Sequence, residues 1–263
     1  MSKVAIVTGG SSGIGLCTAR ALLAQGCKVY ILSRRPFELK NATHICADVT
    51  DEKQASEAVK RVLEREGRIN LLVNCAGFGI SGAIEFTELS EAKKQFNVNF
   101  FGMVNMNRAV LETMRKQGSG RIVNISSVAA PVAIPFQAYY SASKAAINAY
   151  TCALANEIRP FGITVTAIQP GDIATGFTAA REKSAVGDDV YDGRISRSVA
   201  VMEHDEQNGM KPEIAGSYIA KIALKKKVKP LYTIGFSYKC VCFLVKILPC
   251  GILNRLVGML YAK

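Results

Sequence analysis

The sequence predicts an α/β fold in which helices cover both faces of a doubly wound parallel sheet. Short β-branched apolar runs alternate with longer amphipathic runs, as strands and crossover helices do. The chain has 263 residues and 49% of them are hydrophobic, so one α/β domain with a large core can be formed. No repeat or low-complexity linker divides the chain. These observations favour a single domain.

Six strands are expected where short apolar runs end at glycine or polar residues. They are 3–8, 28–32, 44–47, 69–73, 121–126 and 163–168. Helices are expected between them. The first spans 13–25, the second is capped by Thr50 and ended by Gly67, and the third and fourth span 90–116 and 137–159.

The turn between the first strand and the first helix is rich in glycine, with the sequence T-G-G-S-S-G-I-G at 8–15. Glycines at this place allow a tight turn and let the backbone approach a pyrophosphate at the helix N-terminus. An ordinary tight turn would have the same composition. The candidate cofactor-binding residues in this turn are Gly9, Ser11, Ser12, Gly13, Ile14 and Gly15.

The second strand ends at Arg34 and Arg35, where a site selective for NAD would have an acidic residue that binds the ribose hydroxyls. A pair of guanidinium groups suits a 2′-phosphate instead. The sequence therefore predicts NADP(H) as the cofactor, with Arg34 as the first candidate for the phosphate contact.

Tyr140 and Lys144 are four residues apart on a predicted helix and share one face of it. A free tyrosine titrates near pH ~10, and moving its pKa to about 7 takes roughly 4 kcal/mol. One ammonium at about 4 Å supplies an energy of that order. The pair can therefore form a proton donor for a carbonyl oxygen. A solvated surface pair is the alternative for this motif taken alone.

Further polar motifs follow the other strands. Ser127 comes directly after the fifth strand and 13 residues before Tyr140, and Asn74 ends the fourth. Asn99 lies in the next helix, and P-G-D-I-A-T at 170–175 follows the sixth strand. Ligands of open α/β sheets bind beyond the carboxyl ends of the strands, so these motifs are expected to meet in one pocket.

Together these residues resemble the short-chain dehydrogenase/reductase family over residues 3–235. A-G-F-G at 76–79 and the extended C-terminus are similar to its hydroxysteroid-dehydrogenase-like branch. The resemblance implies a Rossmann-like fold, a homodimer or homotetramer, and hydride transfer between nicotinamide C4 and a ketone or secondary alcohol.

The resemblance also implies roles for single residues. Tyr140 would be the proton donor, Ser127 rather than Ser126 would hold the substrate oxygen, and Lys144 would bind the nicotinamide ribose. Asn99 would order a helix backbone and a water for proton relay. Further cofactor contacts would come from Asp48, Val49, Asn74, Ala76, Gly77, Tyr140, Lys144, Pro170, Gly171, Ile173 and Thr175. Cys75 replaces the second Asn of many members, with little expected consequence.

Candidate substrate contacts are Ser127, Phe78, Ala129, Gly171 and Phe177. Their mostly apolar character favours a bulky lipophilic carbonyl or alcohol, with a steroid or bile acid as the first expectation. Acyl-dihydroxyacetone phosphate or another lipid carbonyl is the alternative. A non-catalytic NADPH-binding sensor is a different class of function, and the complete Asn99, Ser127, Tyr140 and Lys144 set argues against it.

The net charge of +12 is concentrated in the last part of the chain. Nine basic residues and no acidic ones occur from Lys221 to Lys263. Residues 1–236 are expected to form the catalytic domain, with a lid at 175–212, and residues 237–263 a basic amphipathic extension. Two interpretations of the extension stay open. It lies on an anionic membrane surface, or it packs over the substrate mouth or a dimer partner.

Other partners are not expected. The body of the protein lacks the basic groove of a nucleic-acid binder. The eight cysteines include no C-x-x-C motif, so no metal site is predicted and the thiols should be reduced. The N-terminal apolar run before the glycines is too short for a signal peptide, and the predicted location is cytoplasmic, with peripheral membrane contact through the extension if that interpretation holds.

Overall fold

The computed structural model describes residues 2–262, so the predicted tail cation Lys263 lies outside the described residues. Seven parallel strands form the main sheet in the order β3-β2-β1-β4-β6-β7-β9, and two short strands, β5 and β8, pair separately. The strands are β1 (Val4–Thr8), β2 (Lys28–Ser33), β3 (Ala42–Cys46), β4 (Leu71–Asn74), β5 (Ile80–Ser81), β6 (Gly120–Ile125), β7 (Ile163–Gln169), β8 (Glu182–Lys183) and β9 (Leu231–Thr233). The predicted doubly wound parallel sheet is confirmed.

Ten α-helices connect or flank these strands in the described chain. They are α1 (Gly13–Ala24), α2 (Glu52–Glu66), α3 (Leu89–Phe96), α4 (Gly102–Lys116), α5 (Ala138–Ile158), α6 (Phe177–Ala180), α7 (Arg194–Gln207), α8 (Pro212–Leu224), α9 (Phe236–Ile247) and α10 (Cys250–Tyr261). Among residues 2–262, no helix is both long enough and apolar enough to span a bilayer.

The register of the central strands explains why both faces of the sheet are buried. Leu72 of β4 lies between Ile6 of β1 and Ile122 of β6, and this row packs under α2, α4 and α5. The next residue along each strand points to the opposite face, because side chains of a strand alternate. Val73 of β4 therefore belongs to the core under α1 and α8. Continuous apolar runs are typical of such strands.

Two local features differ from the expectation. β9, which pairs with β7, was not predicted. Thr50 was expected to cap α2. The cap is Asp51, whose carboxylate accepts hydrogen bonds from the backbone N–H groups of Lys53 and Gln54. A carboxylate satisfies two orphan donors at once, whereas the Thr50 hydroxyl donates to Asp48 instead.

The helix predicted at 90–116 is not a regular α-helix throughout. A π-helical turn, Asn97–Phe101, separates α3 from α4 while the axis continues. Such turns insert an extra residue and occur often at functional sites. Here the turn contains Asn99, which is almost completely buried.

The basic residues near the C-terminus divide between the two ends of the sheet. The loop 225–230 enters β9, and α9 follows the other end of that strand. Since β9 runs parallel to β7, the loop lies at the amino edge of the sheet and α9 begins at the carboxyl edge. The side chain of Arg121 ties the loop down through the carbonyl groups of Ile222 and Lys225.

Candidate active site

The predicted proton donor and its lysine lie at the start of α5, which crosses the carboxyl edge of the sheet. Tyr140 is half-buried and Lys144 is buried. The Lys144 ammonium donates a hydrogen bond of 2.9 Å to the carbonyl oxygen of Ile125 and lies 5.5 Å from the centroid of the Tyr140 ring. The helical spacing therefore brings both groups to the ends of β6 and β7, as the sequence predicts.

The two serines after β6 have different surroundings. The Ser126 hydroxyl is buried and donates to the backbone oxygen of Lys144 at 3.0 Å, so it fastens α5 to the sheet. The half-buried Ser127 hydroxyl accepts from the Ala129 N–H at 3.1 Å and also interacts with the Tyr140 hydroxyl. Of the two, only Ser127 shares the tyrosine's surroundings.

Asn99 is held by the loop that follows β4. Its amide oxygen accepts from the Phe78 N–H at 3.0 Å, and its amide nitrogen donates to the Phe78 carbonyl at 3.0 Å. The same nitrogen lies 3.2 Å from the Ser143 hydroxyl. Both Asn99 and Lys144 lie beneath Gly77, with Oδ1 and Nζ 3.1 and 3.7 Å from the place where a Cβ would sit. The four predicted catalytic residues thus belong to one cluster.

The electrostatics of this cluster correct one expectation. Lys144 was expected to lower the tyrosine pKa, but burial raises the pKa of Tyr140 to about 12 and the negative charge of Glu206 adds to the effect. Burial also lowers the pKa of Lys144 to about 8. Tyr140 is half-buried and Lys144 is buried, and the ammonium donates to a backbone carbonyl instead of the phenol oxygen. Desolvation of the phenolate therefore outweighs the hydrogen bond with Ser127 and the positive charge of Arg181, which both lower the pKa.

The glycine-rich turn has the geometry of a phosphate cradle. Ser12 precedes α1 without a side-chain cap, so the first N–H groups of the helix have no side-chain acceptor there. Gly15 must be glycine, because a Cβ would lie 2.3 Å from the Gly9 carbonyl oxygen. Thr175 faces Gly13 across the cradle, 3.6 Å from the position of a Cβ. The free N–H groups at the start of α1 and the close approach of the Gly9 and Gly15 backbones leave a cradle that fits a dinucleotide pyrophosphate.

The adenosine end of this groove has two exposed arginines. Arg34 and Arg35 follow β2, and neither is buried. The Ser33 hydroxyl donates to the Arg35 carbonyl at 3.0 Å and lies 2.8 Å from His44 Nε2, so the loop backbone is organised. Both guanidinium groups are accessible to a 2′-phosphate.

The remaining predicted cofactor residues differ in whether the side chain or only the backbone can contact a cofactor. Asn74 is buried, and its amide donates to Asn107 and Asn124, so this side chain belongs to the core and only its backbone lies near the site. The Asp48 carboxylate accepts a hydrogen bond from the backbone N–H of Thr50 in the same turn. The backbone carbonyl of Val49 accepts one from the side chain of Asn105 in α4. Ile173 is buried beside Met210, and Pro170 accepts from the Val128 N–H. The backbones of Ser11, Ile14, Ala76, Gly77 and Gly171 line the strand ends around the cradle.

Aromatic residues cover the reaction centre. Phe177, the first residue of α6, has its ring 5.7 Å from that of Tyr140. Phe78 packs on the Asn99 side, and Ala129 is buried beside Ser127. Of the predicted substrate residues, Phe177 and Ser127 contact Tyr140, whereas the Phe78 ring lies 5.4 Å from the Lys94 ammonium and Gly171 is covered by the Tyr238 ring.

Sequence reasoning missed Tyr238, which comes from α9. Its ring covers Gly171, where any Cβ would overlap the ring, and its hydroxyl donates to the Asp172 carboxylate. These contacts span 66 residues, and a lone tyrosine in a basic apolar tail gives no sequence signal for them. Burial raises the pKa of Asp172, while this hydrogen bond opposes the rise.

A buried ion pair in the lid was also missed. The Arg181 side chain is completely buried and pairs with Glu206 of α7. Glu206 also accepts from the Thr178 hydroxyl at 2.6 Å, and the Arg181 guanidinium lies 5.6 Å from the Phe177 ring. The pair fixes the short helix α6 and thereby the phenylalanine that covers Tyr140.

The sequence was compared with known families and proteins. The profile of the short chain dehydrogenase family matches residues 3–185. A 3-ketodihydrosphingosine reductase of Bacteroides thetaiotaomicron is 41% identical over 244 residues, covering 89% of this chain and 91% of that protein. A protein of Helicobacter pylori described as the probable short-chain type dehydrogenase/reductase VdlC is 34% identical over 252 residues, covering 94% and 93%.

Solved structures agree with the fold. A short-chain dehydrogenase from Streptomyces avermitilis superposes with a TM-score of 0.83 at 32% identity, covering 98% of this chain and 94% of that one. ElxO with NADP bound superposes with a TM-score of 0.76 at 26% identity, covering 91% and 100%. The similarity to the first structure thus extends over the lid and the C-terminal helices.

Proposed function

The chain belongs to the short-chain dehydrogenase family, and we propose that it reduces the ketone of a long-chain lipid with NADPH. The protein is an oxidoreductase of the CH–OH/C=O type. The proposed substrate is a 3-oxo amino alcohol of the 3-ketodihydrosphingosine type. The observation that carries this choice is the 41% identity to a reductase of that substrate over 89% of the chain.

In this reaction the nicotinamide supplies the hydride, and the protein supplies position and a proton. Ser127 and Tyr140 offer two hydroxyl groups to the ketone oxygen, and the Tyr140 hydroxyl gives up its proton to that oxygen. The positive charge of Lys144 lies on the same side of the ring and stabilises the phenolate that remains. Phe177 covers the ring and excludes water from the proton transfer.

The choice of NADPH rests on Arg34 and Arg35. Both are exposed at the end of β2, where an acidic residue would favour NADH. The related ElxO structure has NADP bound, which supports the same choice. NADPH is accordingly the proposed reductant.

The choice of substrate favours a lipid ketone over the steroid or bile acid expected first. The half-buried side chains of Phe78 and Phe177 offer apolar contacts to an acyl chain, whereas Ala129 is buried. Asp172 follows β7 at the same edge of the sheet, and its carboxylate is near enough to contribute to the raised pKa of Tyr140. A carboxylate close to the reacting oxygen suits the ammonium group next to the ketone of such an amino alcohol, and it has no partner on a steroid.

The proposal is tested by following NADPH oxidation at 340 nm with four substrates: 3-ketodihydrosphingosine, its analogue without the amine, an oxo-bile acid and acyl-dihydroxyacetone phosphate. The first is expected to give the highest kcat/KM, and NADH should be a poorer reductant. A higher kcat/KM with the bile acid would replace the proposal by the steroid interpretation.

Tyr140→Phe is the control for the chemistry. Turnover should fall by about 10²–10⁴-fold because the proton donor is lost, while NADPH binding, measured by fluorescence, should stay nearly unchanged. A wild-type protein that binds NADPH and reduces none of these ketones would instead be a sensor.

A further inference from the structure

We propose that the exposed sides of α9 and α10 dock on an anionic lipid bilayer. This surface, called the tail face below, carries the apolar side chains of Phe243, Ile247 and Leu260 and the cations of Lys239, Lys246 and Arg255. The inference goes beyond the proposed reaction and does not depend on it, because membrane binding is measured without turnover.

Exposed apolar side chains are concentrated on the tail face. Nine of the seventeen large hydrophobic residues that are exposed in the described chain fall within 236–260. Phe243, Ile247 and Leu260 have 63%, 60% and 65% of their surface exposed, and Phe236 has 83%. A concentration of this kind marks an interaction site, whereas isolated exposed residues need no explanation.

The tail face is fixed because the opposite sides of both helices are docked on the body. Tyr238 of α9 binds Asp172, and Val257 of α10 is buried. The last turn is tied down by the guanidinium of Arg194, which donates to the carbonyl of Ala262 at 2.8 Å. The inner faces of both helices therefore pack against the body of the protein, and their outer apolar faces have no partner in the described chain.

The charge of the tail face selects its partner. Lys239, Lys246 and Arg255 are exposed among the apolar side chains, and no acidic residue follows Glu213. A second copy of the chain is a poor occupant, because a two-fold symmetric interface would set two positively charged faces against each other. An anionic headgroup layer over an acyl core matches both the charges and the apolar surface.

The lengths of the helices indicate how they would lie. Each has 12 residues, or about 18 Å at the usual rise, against a hydrocarbon core of about 30 Å. Pro249 follows α9 and opens α10, so the two helices are separate segments. They would lie in the interface with their axes along the surface. The bilayer would then face the carboxyl edge of the sheet, where the active site opens.

Vesicle flotation tests the proposal with the full-length protein and two matched pairs of variants. Vesicles of phosphatidylcholine alone are compared with vesicles containing 30% phosphatidylglycerol. Lys239→Gln/Lys246→Gln/Arg255→Gln removes the tail cations, and Lys226→Gln/Lys227→Gln/Lys229→Gln removes equal charge at the amino edge of the sheet. Each interfacial cation contributes about fivefold to binding, so the tail variant should bind anionic vesicles about 100-fold more weakly. The amino-edge variant should bind as the wild type does.

The apolar contribution is tested in the same way. Phe243→Ser/Ile247→Ser/Leu260→Ser should abolish flotation, whereas Ile84→Ser/Val186→Ser/Ile214→Ser, which changes equally exposed residues elsewhere, should leave it intact. Circular dichroism and NADPH binding verify that each variant is folded. Wild-type protein that stays unbound to anionic vesicles overturns the proposal, as does equal binding by tail and control variants. If the wild type does not float and the tail variant loses mass in sedimentation, the face is an interface between copies.

Discussion

Among single residues, burial shifts the pKa values of Tyr140 and Lys144 in opposite directions. Burial raises the pKa of Tyr140 to about 12 and lowers that of Lys144 to about 8. Both shifts favour the neutral form, as desolvation always does. The tyrosine is thus kept protonated as a donor, and the lysine ammonium donates to the Ile125 carbonyl.

The lysine shift predicts a pH dependence of folding. In the unfolded chain Lys144 keeps its proton up to about pH 10.4, whereas in the folded protein it loses the proton near pH 8. Between these values the unfolded state binds more protons, so stability rises with pH. The contribution of Lys144 to the free energy of unfolding should increase by about 2 kcal/mol from pH 7.5 to 9.5.

Urea unfolding of the wild type and Lys144→Met at both pH values measures this contribution. Half-buried Cys75 and Tyr140 have raised pKa values and act in the opposite sense at high pH. Because Lys144 itself lowers the pKa of Cys75, both proteins also carry Cys75→Ala, and the difference between their two pH profiles then reports on the lysine. Parallel profiles would mean that the folded lysine titrates as a solvated one.

A second residue-scale prediction concerns the cofactor. Arg34→Glu/Arg35→Glu should raise the KM for NADPH by about 10²-fold, because charge-assisted hydrogen bonds of about 1.5–3 kcal/mol are replaced by repulsion. The KM for NADH should change little or fall, since an acid can accept from the ribose hydroxyls. Steady-state kinetics with both cofactors measure the switch, and Lys40→Glu on the same loop is the control. An equal loss with both cofactors would place the arginines outside the phosphate site.

Among the helices and strands, the lid depends on an ion pair, Arg181 with Glu206, that is largely buried from solvent. The Arg181 side chain has no exposed surface and Glu206 has 14% of its side chain exposed, whereas Lys94 and Glu182, which join α3 to the lid, have 56% and 43%. Removing one partner of a buried pair leaves an uncompensated charge and costs about 3 kcal/mol or more. An exposed pair contributes at most about 1 kcal/mol.

Glu206→Gln should therefore open the lid, while Glu182→Gln should not. Hydrogen exchange of the α7 amides is the sensitive measurement, since it detects local opening within an intact fold. The expected acceleration is about 100-fold for Glu206→Gln and less than about fivefold for Glu182→Gln. The double variant Arg181→Met/Glu206→Met should recover most of the protection. Equal acceleration in both single variants would show that the buried pair does not hold the lid.

The elements also show what the sequence could predict. The six apolar strands and the helix carrying Tyr140 and Lys144 follow local periodicity, and they place Ser127 and Asn99 in the same cluster. β9 has only three residues next to a lysine-rich loop, so its pairing with β7 gives no local pattern. The π-helical turn leaves the composition of the helix unchanged. The contacts of Tyr238 and Glu206 join residues that are far apart in sequence and depend on tertiary packing.

At the scale of the whole molecule, the net charge of +12 resolves into separate surfaces. Arg34 and Arg35 face the cofactor groove, the 225–230 loop lies at the amino edge of the sheet, and the tail face lies at the carboxyl edge. The tail face and the substrate mouth are joined by Tyr238, whose helix carries part of the tail face while its ring covers Gly171. The tail face and the substrate mouth thus lie at the same edge of the molecule.

This arrangement predicts that an anionic bilayer activates the enzyme toward a ketone dissolved in it. With 3-ketodihydrosphingosine in vesicles, kcat/KM should be at least about tenfold higher with 30% phosphatidylglycerol than with phosphatidylcholine alone, since two or more tail cations contribute about fivefold each. The gain should disappear near 1 M salt, where the screening length falls to about 3 Å. A short-chain, water-soluble ketone should be reduced equally with both vesicles, because it reaches the mouth from water. Equal rates for the lipid ketone with both vesicles, from protein that does float with the anionic ones, would mean that docking holds the enzyme at the membrane without opening a path for the substrate.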